Sequence, residues 1–266
     1  MKAASGPTYT RAVGTAAFFD LDRTLLRRSS ALALAGSFRE RGLIGRSQLA
    51  KAAAWQLLFV ARGASAEAVR KGSEDGMMVL RGFRVSELQA LVAEAMEPVL
   101  KPLVYRDPLE LVRQHRARGE PVYIVSATLQ EIVAELAREL GFDGALGSTC
   151  EIVDGVYTGK VLRPCHGAGK AAAVRELAER EGIDLGGSTA YSDSHTDLPF
   201  LEVVGHPVAV NPDKELRRTA EGRGWPIERF AELAFPGVRR LRRALMGIPL
   251  ALGAGAAVWA VRRRAA

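Results

Sequence analysis

Cysteine is scarce in this chain. Its 266 residues include only Cys150 and Cys165, which are too few for a disulfide framework and lack the spacing of a zinc site. His166 follows Cys165, but no second pair exists to complete a metal site, so we expect a solvated loop there. This cysteine usage suits a reducing cytosol, and the 48% hydrophobic and 25% charged composition indicates a globular protein.

Acidic residues are missing from the C-terminal end. From Gly237 onward the chain has seven arginines and neither Asp nor Glu. Removing those seven from the 37 lysines and arginines leaves 30, which equals the number of acidic residues, so the body of the chain is neutral. The basic excess therefore belongs to the tail, which favours a membrane surface as its partner, and we expect no nucleic-acid partner.

The tail, residues 236–266, contains an uncharged run of 17 residues from Leu245 to Val261 with arginines on both sides. As a helix this run would be ~25 Å long, short of the ~30 Å hydrocarbon core of a bilayer. It either packs on the domain as a hydrophobic core helix or contacts a membrane, and the flanking arginines favour the membrane. Met1 to Thr15 lacks the apolar stretch of a signal peptide. We therefore predict a cytoplasmic protein associated with the cytoplasmic membrane through this tail.

Strand signals are missing from a stretch of roughly 70 residues near the N-terminus. Val13 to Phe19 is a small apolar run typical of a central strand, but the segments that follow have helical patterns. We predict helices over 31–41, 47–61, 65–80 and 86–96, the last of them ended by Pro98. This stretch is predicted to be a helical insert, residues 28–98, in an α/β core formed by residues 1–27 and 99–235.

Alternation of helices and strands resumes after the insert, as a parallel sheet requires. Pro121 to Val125 is apolar throughout, which predicts a strand buried on both faces. Asp154-Gly155 lies between two β-patterned segments and predicts a hairpin turn. We predict hairpin strands over 149–153 and 156–160, further strands over 188–192 and 206–210, and helices over 107–117, 129–140, 168–181, 195–203 and 213–220.

Two carboxylates, Asp20 and Asp22, follow the first predicted strand. Their spacing of two places both side chains on the same side of an extended chain. Two such acids repel each other unless they share a proton or a cation, and a hard dication such as Mg²⁺ prefers their oxygen ligands. Taken alone, a loop acid beside a helix cap explains the pair equally well.

Polar groups also follow other predicted strands, and the carboxyl ends of parallel strands meet at one edge of a sheet. Ser126 follows the second strand, and Asp193 and Asp197 follow a later one. Gly167-Ala-Gly-Lys170 begins a helix and offers amide donors and an ammonium to an anion, although it lacks P-loop spacing. Each has a plainer interpretation, as a loop or as a helix cap beside a solvated acid. Together they suit phosphoryl transfer: acids hold a metal, a hydroxyl and a lysine bind the phosphoryl group, and a free carboxylate attacks it.

These segments resemble the four ordered motifs of the haloacid dehalogenase superfamily: Asp20-Leu-Asp22-Arg-Thr-Leu, Ser126, Lys170 and Asp193-Ser-His-Thr-Asp197. The helical insert resembles the type I cap of that superfamily. The hairpin 151–159 and the segment 208–213 are similar to the phosphoserine-phosphatase-like branch. The resemblance covers about residues 15–230 and implies a Rossmann-like three-layer core with a parallel sheet and an inserted helical cap domain.

The resemblance also implies residue roles. Asp20 would be the nucleophile, and Asp22 would protonate the leaving oxygen and then activate water. Asp22 can act as an acid only if its pKa is raised, and we expect hydrogen bonding from Thr24 and closure of the cap to raise it. The implied phosphate-binding groups are Ser126, Ala127 and Lys170, the implied Mg²⁺ ligands are Asp20, Asp22 and Asp193, and the implied supporting residues are Thr24, Asp197 and Asn211.

One departure from the phosphoserine phosphatases concerns the substrate. Those enzymes have a Glu nine residues after the nucleophile, where this chain has Ser29, preceded by Arg27 and Arg28. The motif after the second strand also reads Ser-Ala-Thr instead of Ser-Gly-Gly. The two arginines either favour a more anionic or larger leaving group or are solvated on a helix face.

The resulting prediction is a Mg²⁺-dependent phosphomonoester hydrolase with an aspartyl-phosphate intermediate. The tail and the missing Glu favour a lipid-linked or lysophospholipid phosphate as substrate. The alternatives are a small-metabolite phosphatase, such as a phosphoserine phosphatase, a phosphotransferase, and a non-catalytic membrane-associated scaffold.

Overall fold

The structure is a computed structural model, and it describes residues 14–42 and 80–235. The predicted helix over 47–61, nearly all of the one over 65–80 and the tail 236–266 lie outside these residues. The insert is therefore described only at its two ends. Within the described ranges, no helix combines the length and the apolar character that crossing a bilayer requires.

A sheet of seven strands forms the centre of the described part, in the order β4-β3-β2-β1-β5-β6-β7. Neighbouring strands are parallel except β3 and β4, which form the predicted antiparallel hairpin. Asp154 and Gly155 both have positive φ at its turn, as a two-residue hairpin turn requires. The strands are β1 Ala17–Asp20, β2 Val122–Leu129, β3 Gly144–Val153, β4 Val156–Arg163, β5 Thr189–Ser192, β6 His206–Val210 and β7 Ile227–Glu228.

Helices cover both faces of this sheet. β1 is buried along its whole length, and its alternating side chains divide the core: Phe19 stacks on Tyr191 on one face and Phe18 on Tyr123 on the other. The predicted three-layer α/β fold is thereby confirmed. The helices are α1 Ser30–Glu40, α2 Val85–Ala95, α3 Arg106–Ala117, α4 Gln130–Leu140, α5 Ala168–Glu181, α6 Leu198–Leu201 and α7 Lys214–Arg223.

Pro98 does not end the helix before it, contrary to the prediction. α2 continues as a π turn, Met96–Leu100, and then as a 3₁₀ turn, Lys101–Leu103. A proline has no N–H to donate to the i−4 carbonyl. Here the Lys101 N–H bonds to the carbonyl of Met96, five residues back, so the chain winds past the proline by widening one turn.

Cys165 is also placed differently from the prediction of a solvated loop. It is buried, its N–H donates to Ser148 Oγ at 3.0 Å, and its Sγ lies 3.6 Å from the Leu146 carbonyl oxygen. Both partners lie in the first half of β3, which pairs with β2. No strand was predicted there, because most of these residues are small. Burial raises the pKa of the Cys165 thiol to about 11.

Candidate active site

The predicted site residues meet at the carboxyl edge of the three central strands. Asp20 ends β1 and pairs in register with Val125 of β2, so Ser126 is the next residue along the neighbouring strand. β5 lies on the other side of β1 and is followed by Asp193. The order of the strands therefore puts a hydroxyl on one side of Asp20 and a carboxylate on the other.

Lys170 connects the two acidic segments. Its Nζ lies 2.5 Å from Asp20 Oδ1 and 2.6 Å from Asp197 Oδ2, and all three residues are buried. Ser192 Oγ donates a second hydrogen bond, of 2.7 Å, to Asp197 Oδ2. Lys170 lies in the first turn of α5, which follows Gly167 with its positive φ. The end of β5 and the start of α5 thus position a cation against the end of β1.

Burial and the neighbouring charges shift the pKa values of Asp20 and Lys170. Burial raises the pKa of the Asp20 carboxyl to about 7, although Lys170 opposes the shift. Burial would lower the pKa of Lys170, but the charges of Asp197 and Asp20 outweigh it and raise that pKa. The lysine therefore remains an ammonium at neutral pH, while Asp20 has a carboxylate that further positive charge would stabilise.

Asp22 has a raised pKa, as its implied role as an acid requires, but the cause differs from the predicted one. Burial raises the pKa of the Asp22 carboxyl, and hydrogen bonds from Ser30 and Ser29 oppose that shift. The Ser30 N–H donates to Asp22 Oδ1 at 2.8 Å. The buried Thr24 hydroxyl has no hydrogen-bond partner among the described residues, Asp22 included, so the predicted hydrogen bond from Thr24 to Asp22 is wrong.

Asp193 has the features of an incomplete cation site. Its Oδ2 is buried and accepts no hydrogen bond from residues 14–42 or 80–235, although Arg23 Nε lies 3.2 Å away. Burial and the nearby charge of Asp20 raise the pKa of the Asp193 carboxyl well above its ordinary value. Among the described residues, no three His, Cys, Asp or Glu side chains form a ready-made metal cluster. Mg²⁺ needs no such cluster, because it is usually held by one or two carboxylates with water and phosphate oxygens. Asp20 and Asp193 fit that requirement.

The β2 side of the site is made of hydroxyl groups. Ser126 is buried, and its Oγ accepts a 3.1 Å hydrogen bond from the Thr128 N–H. Because Ser126 is the acceptor there, its own proton remains to be donated to an anion. The Ala127 carbonyl accepts from Ser148 Oγ, and the Thr128 hydroxyl lies 3.0 Å from that of Ser30. These contacts connect β2 to β3 and to the start of α1.

The hydrogen bonds of the Asn211 side chain are made with Phe230. Asn211 has a positive φ, and its side chain both accepts from the Phe230 N–H and donates to the Phe230 carbonyl. Asp213, predicted as a helix start and as the end of the segment 208–213 but not as a site residue, contributes more directly. Its Oδ2 accepts from the His195 N–H at 2.9 Å, and its N–H donates to the Asp193 carbonyl at 2.9 Å. The turn between Asp193 and Asp197 is therefore held by the last residue of the segment 208–213, to which the sequence analysis gave no role in the site.

Gly169→Ala is expected to destabilise the protein by about 2 kcal/mol. A Cβ at Gly169 would lie 2.1 Å from the Pro164 carbonyl oxygen, so the backbone beside Lys170 would have to move. Gly222→Ala is the matched control, because a Cβ there meets nothing within 4 Å and α7 should gain roughly 0.5 kcal/mol. Urea unfolding of both variants measures the difference. Equal stability of Gly169→Ala and the unsubstituted protein would contradict the expected close contact.

Comparison with protein families decides the identity of this fold and site. The model of the haloacid dehalogenase-like hydrolases matches residues 17–202, which include Asp20, Ser126, Lys170 and the turn from Asp193 to Asp197. This chain is a haloacid dehalogenase-like hydrolase. The resemblance predicted from the four motifs is confirmed.

Relatives of this hydrolase are named as phosphatases. A protein of Mycobacterium tuberculosis named as a probable phosphatase is 39% identical over 258 residues, which cover 94% of this chain and 90% of the relative. Phosphoserine phosphatase SerB1 of the same organism is 40% identical over 250 residues, covering 91% of this chain and 77% of the relative. The hydrolase is therefore a phosphatase with relatives of phosphoserine-phosphatase type, and the alternative of a non-catalytic scaffold is wrong.

A solved structure supports the same fold. A Bordetella pertussis protein of unknown function superposes with a TM-score of 0.72 and 30% sequence identity, covering 82% of this chain and 99% of that one. The similarity thus extends through nearly the whole of a separate, experimentally determined chain.

Proposed function

We propose that this hydrolase is a Mg²⁺-dependent phosphomonoesterase in which Asp20 becomes phosphorylated. The observation that supports this most strongly is the buried contact of Lys170 with both Asp20 and Asp197, beside the half-buried Asp22. A carboxylate held against an ammonium, with an acid two residues away, suits nucleophilic attack on phosphorus followed by hydrolysis.

In the proposed reaction, a carboxylate oxygen of Asp20 forms a bond to phosphorus while the bond from phosphorus to the ester oxygen breaks. Asp22 donates its proton to the departing oxygen. Asp22, now a carboxylate, takes a proton from the water that attacks the acyl phosphate, which releases inorganic phosphate and restores Asp20. Lys170 and Ser126 orient the phosphoryl oxygens. Mg²⁺, held by Asp20, Asp193 and the Asp22 carbonyl, would neutralise phosphoryl charge.

Removal of divalent cations is expected to abolish phosphate release from 4-nitrophenyl phosphate, and added Mg²⁺ should restore it. The reason is that Asp20 and Asp193 are both buried, and only a cation relieves their repulsion when both are ionised. The experiment compares initial rates after EDTA treatment, with and without excess MgCl₂. An unchanged rate in EDTA would exclude the proposed dependence on metal.

A small phosphorylated metabolite is the substrate class that we propose. The relative named phosphoserine phosphatase SerB1 supports it. The case for a lipid-linked or lysophospholipid phosphate depends on the tail, which lies outside the described residues, and on Ser29 in place of the Glu of the phosphoserine phosphatases. Rates on both classes, measured with the full chain and with a chain ending at Phe235, separate the two. Preference for lipid phosphates that is lost on truncation would favour the lipid substrate.

Two further predictions are tested in the same preparations. Transfer to an acceptor alcohol would show as a phosphorylated alcohol in place of inorganic phosphate, which would make the protein a phosphotransferase.

Cytoplasmic location with membrane association through the tail predicts that the full chain, but not the chain ending at Phe235, sediments with membranes.

A further inference from the structure

A basic cavity lies beside the acidic site. Its volume is about 510 Å³, and its polar lining consists of Arg23, Arg27, Arg28 and Ser29. Apolar side chains, among them Leu32, Val99 and Leu103, form the rest of the wall. No acidic residue lines it among the described residues, so the described part of its wall offers an anion guanidinium groups and no carboxylate.

The cavity and the acidic site share the segment that follows Asp22. Ser29 lines the cavity, and it also contributes a hydrogen bond to the Asp22 carboxyl. Arg23 lines the cavity as well, and its Nε lies 3.2 Å from Asp193 Oδ2. A phosphoryl group near Asp20 would thus have the cavity next to it, and the cavity offers space for the rest of an ester molecule.

Arg23 has a backbone conformation that arginine rarely adopts. Its φ is 66°, in the left-handed region that favours glycine. Such a conformation persists where the surrounding structure or the function maintains it. In this conformation the Arg23 guanidinium contacts Asp193. It therefore lies between the cavity and the acidic residues.

Arg27 and Arg28 supply charge that the described residues leave uncompensated. Both are exposed, and neither side chain forms an ion pair or a hydrogen bond with a described residue. The Arg27 N–H donates to the Leu103 carbonyl at 2.8 Å, which holds its backbone at the cavity wall. Neighbouring guanidinium groups repel one another, and an anion between them relieves that repulsion.

We propose that this cavity binds an anionic group, a carboxylate or a second phosphate, on the leaving group of the phosphomonoester. The inference rests on the proposed phosphomonoesterase activity and specifies which substrates it takes. Guanidinium groups pair with the two oxygens of a carboxylate in a planar fork, while the apolar wall accommodates the carbon skeleton that carries it. Esters with a cationic or neutral leaving group gain nothing from Arg27 and Arg28.

The test compares kcat/KM for 4-carboxyphenyl phosphate and 4-carbamoylphenyl phosphate, which differ chiefly in charge. The unsubstituted protein is expected to prefer the carboxylate about tenfold, as charged hydrogen bonds in an open site allow. The double variant Arg27→Gln/Arg28→Gln should lower that ratio to about one, mainly through KM, and Arg27→Lys/Arg28→Lys should keep part of it. The ratio of kcat/KM for propane-1,3-diol bisphosphate to that for the monophosphate, measured in the same proteins, tests whether the cavity binds a second phosphate.

Arg39→Gln is the matched control, because Arg39 is an exposed arginine near the other end of α1 and does not line the cavity. It should retain the preference for the carboxylate. A ratio near one in the unsubstituted protein for both substrate pairs, or an unchanged ratio in the glutamine double variant, overturns the proposal.

Binding of 4-hydroxybenzoate and 4-hydroxybenzamide, followed by calorimetry, tests the cavity independently of turnover. If the benzoate binds more tightly and Arg27→Gln/Arg28→Gln abolishes the difference, the cavity proposal is supported even when no phosphate ester is hydrolysed. In that case only the proposed function fails. Equal binding of the two compounds by the unsubstituted protein overturns the cavity proposal, whatever the hydrolysis rates.

Discussion

Asp20→Asn is expected to lower kcat/KM for 4-nitrophenyl phosphate by at least about a thousandfold, because an amide cannot form the acyl phosphate. The variant should still fold, since Asn is nearly isosteric and Lys170 keeps its ion pair with Asp197. Phosphate release and thermal unfolding are the two measurements. Asp154→Asn is the control: Asp154 lies in the exposed hairpin turn with a positive φ, which Asn tolerates well.

The covalent step has its own signature. Asp22→Asn keeps the nucleophile but removes the group that activates water, so an aryl phosphate with a good leaving group should phosphorylate the protein and leave it phosphorylated. Intact-protein mass spectrometry would detect one added phosphoryl group in Asp22→Asn and none in Asp20→Asn. A phosphoryl adduct on Asp20→Asn, or full turnover by it, would disprove the assignment of the nucleophile.

Lys170→Met is expected to lower the free energy of unfolding by about 3 kcal/mol, because it leaves Asp20 and Asp197 buried without their cation. It should also lower phosphate release at least about a hundredfold, since the phosphoryl oxygens lose their ammonium. Urea unfolding and initial rates measure the two effects. Lys170→Gln, which retains a hydrogen-bond donor, provides a second variant if the methionine protein is not recovered.

Lys160→Met is the control for that substitution. Lys160 lies on β4, is largely exposed, and pairs with Glu151 at 3.1 Å, and water and salt screen an ion pair in that position. The Lys160→Met protein should have nearly the same free energy of unfolding as the unsubstituted protein and should retain activity. If Lys170→Met were as stable as Lys160→Met, the buried contacts of Lys170 would have no role in holding the two segments together.

Much of this fold was predictable because its signals are local. The apolar run before Asp20, the Asp154-Gly155 turn and the helix that begins at Ala168 each reflect hydrogen bonding or burial within a few residues. The first half of β3 escaped prediction because Gly144 to Ser148 has small side chains and no alternation. It is a strand only because β2 lies beside it, and that pairing is a property of the sheet.

The candidate site divides in the same way. Residue types and spacing selected Asp20, Ser126, Lys170 and Asp193 as candidate site residues, because two acids, a hydroxyl and a lysine at strand ends together suit phosphoryl transfer. The causes of their behaviour were less accessible. The raised pKa of Asp22 comes from burial and not from Thr24, and Asn211 is engaged with Phe230 instead of with the acids.

The amino-acid order alone established that this chain is an α/β protein with two acids after its first strand, because periodicity and turn chemistry are written in neighbouring residues. Only the folded arrangement established that Lys170 contacts Asp20 across 150 positions of sequence, that Arg23 lies against Asp193, and that Arg27 and Arg28 border a cavity. The reason is physical: strand order and burial bring distant segments together, and the charges of those segments acquire their values only in that shared, water-poor environment.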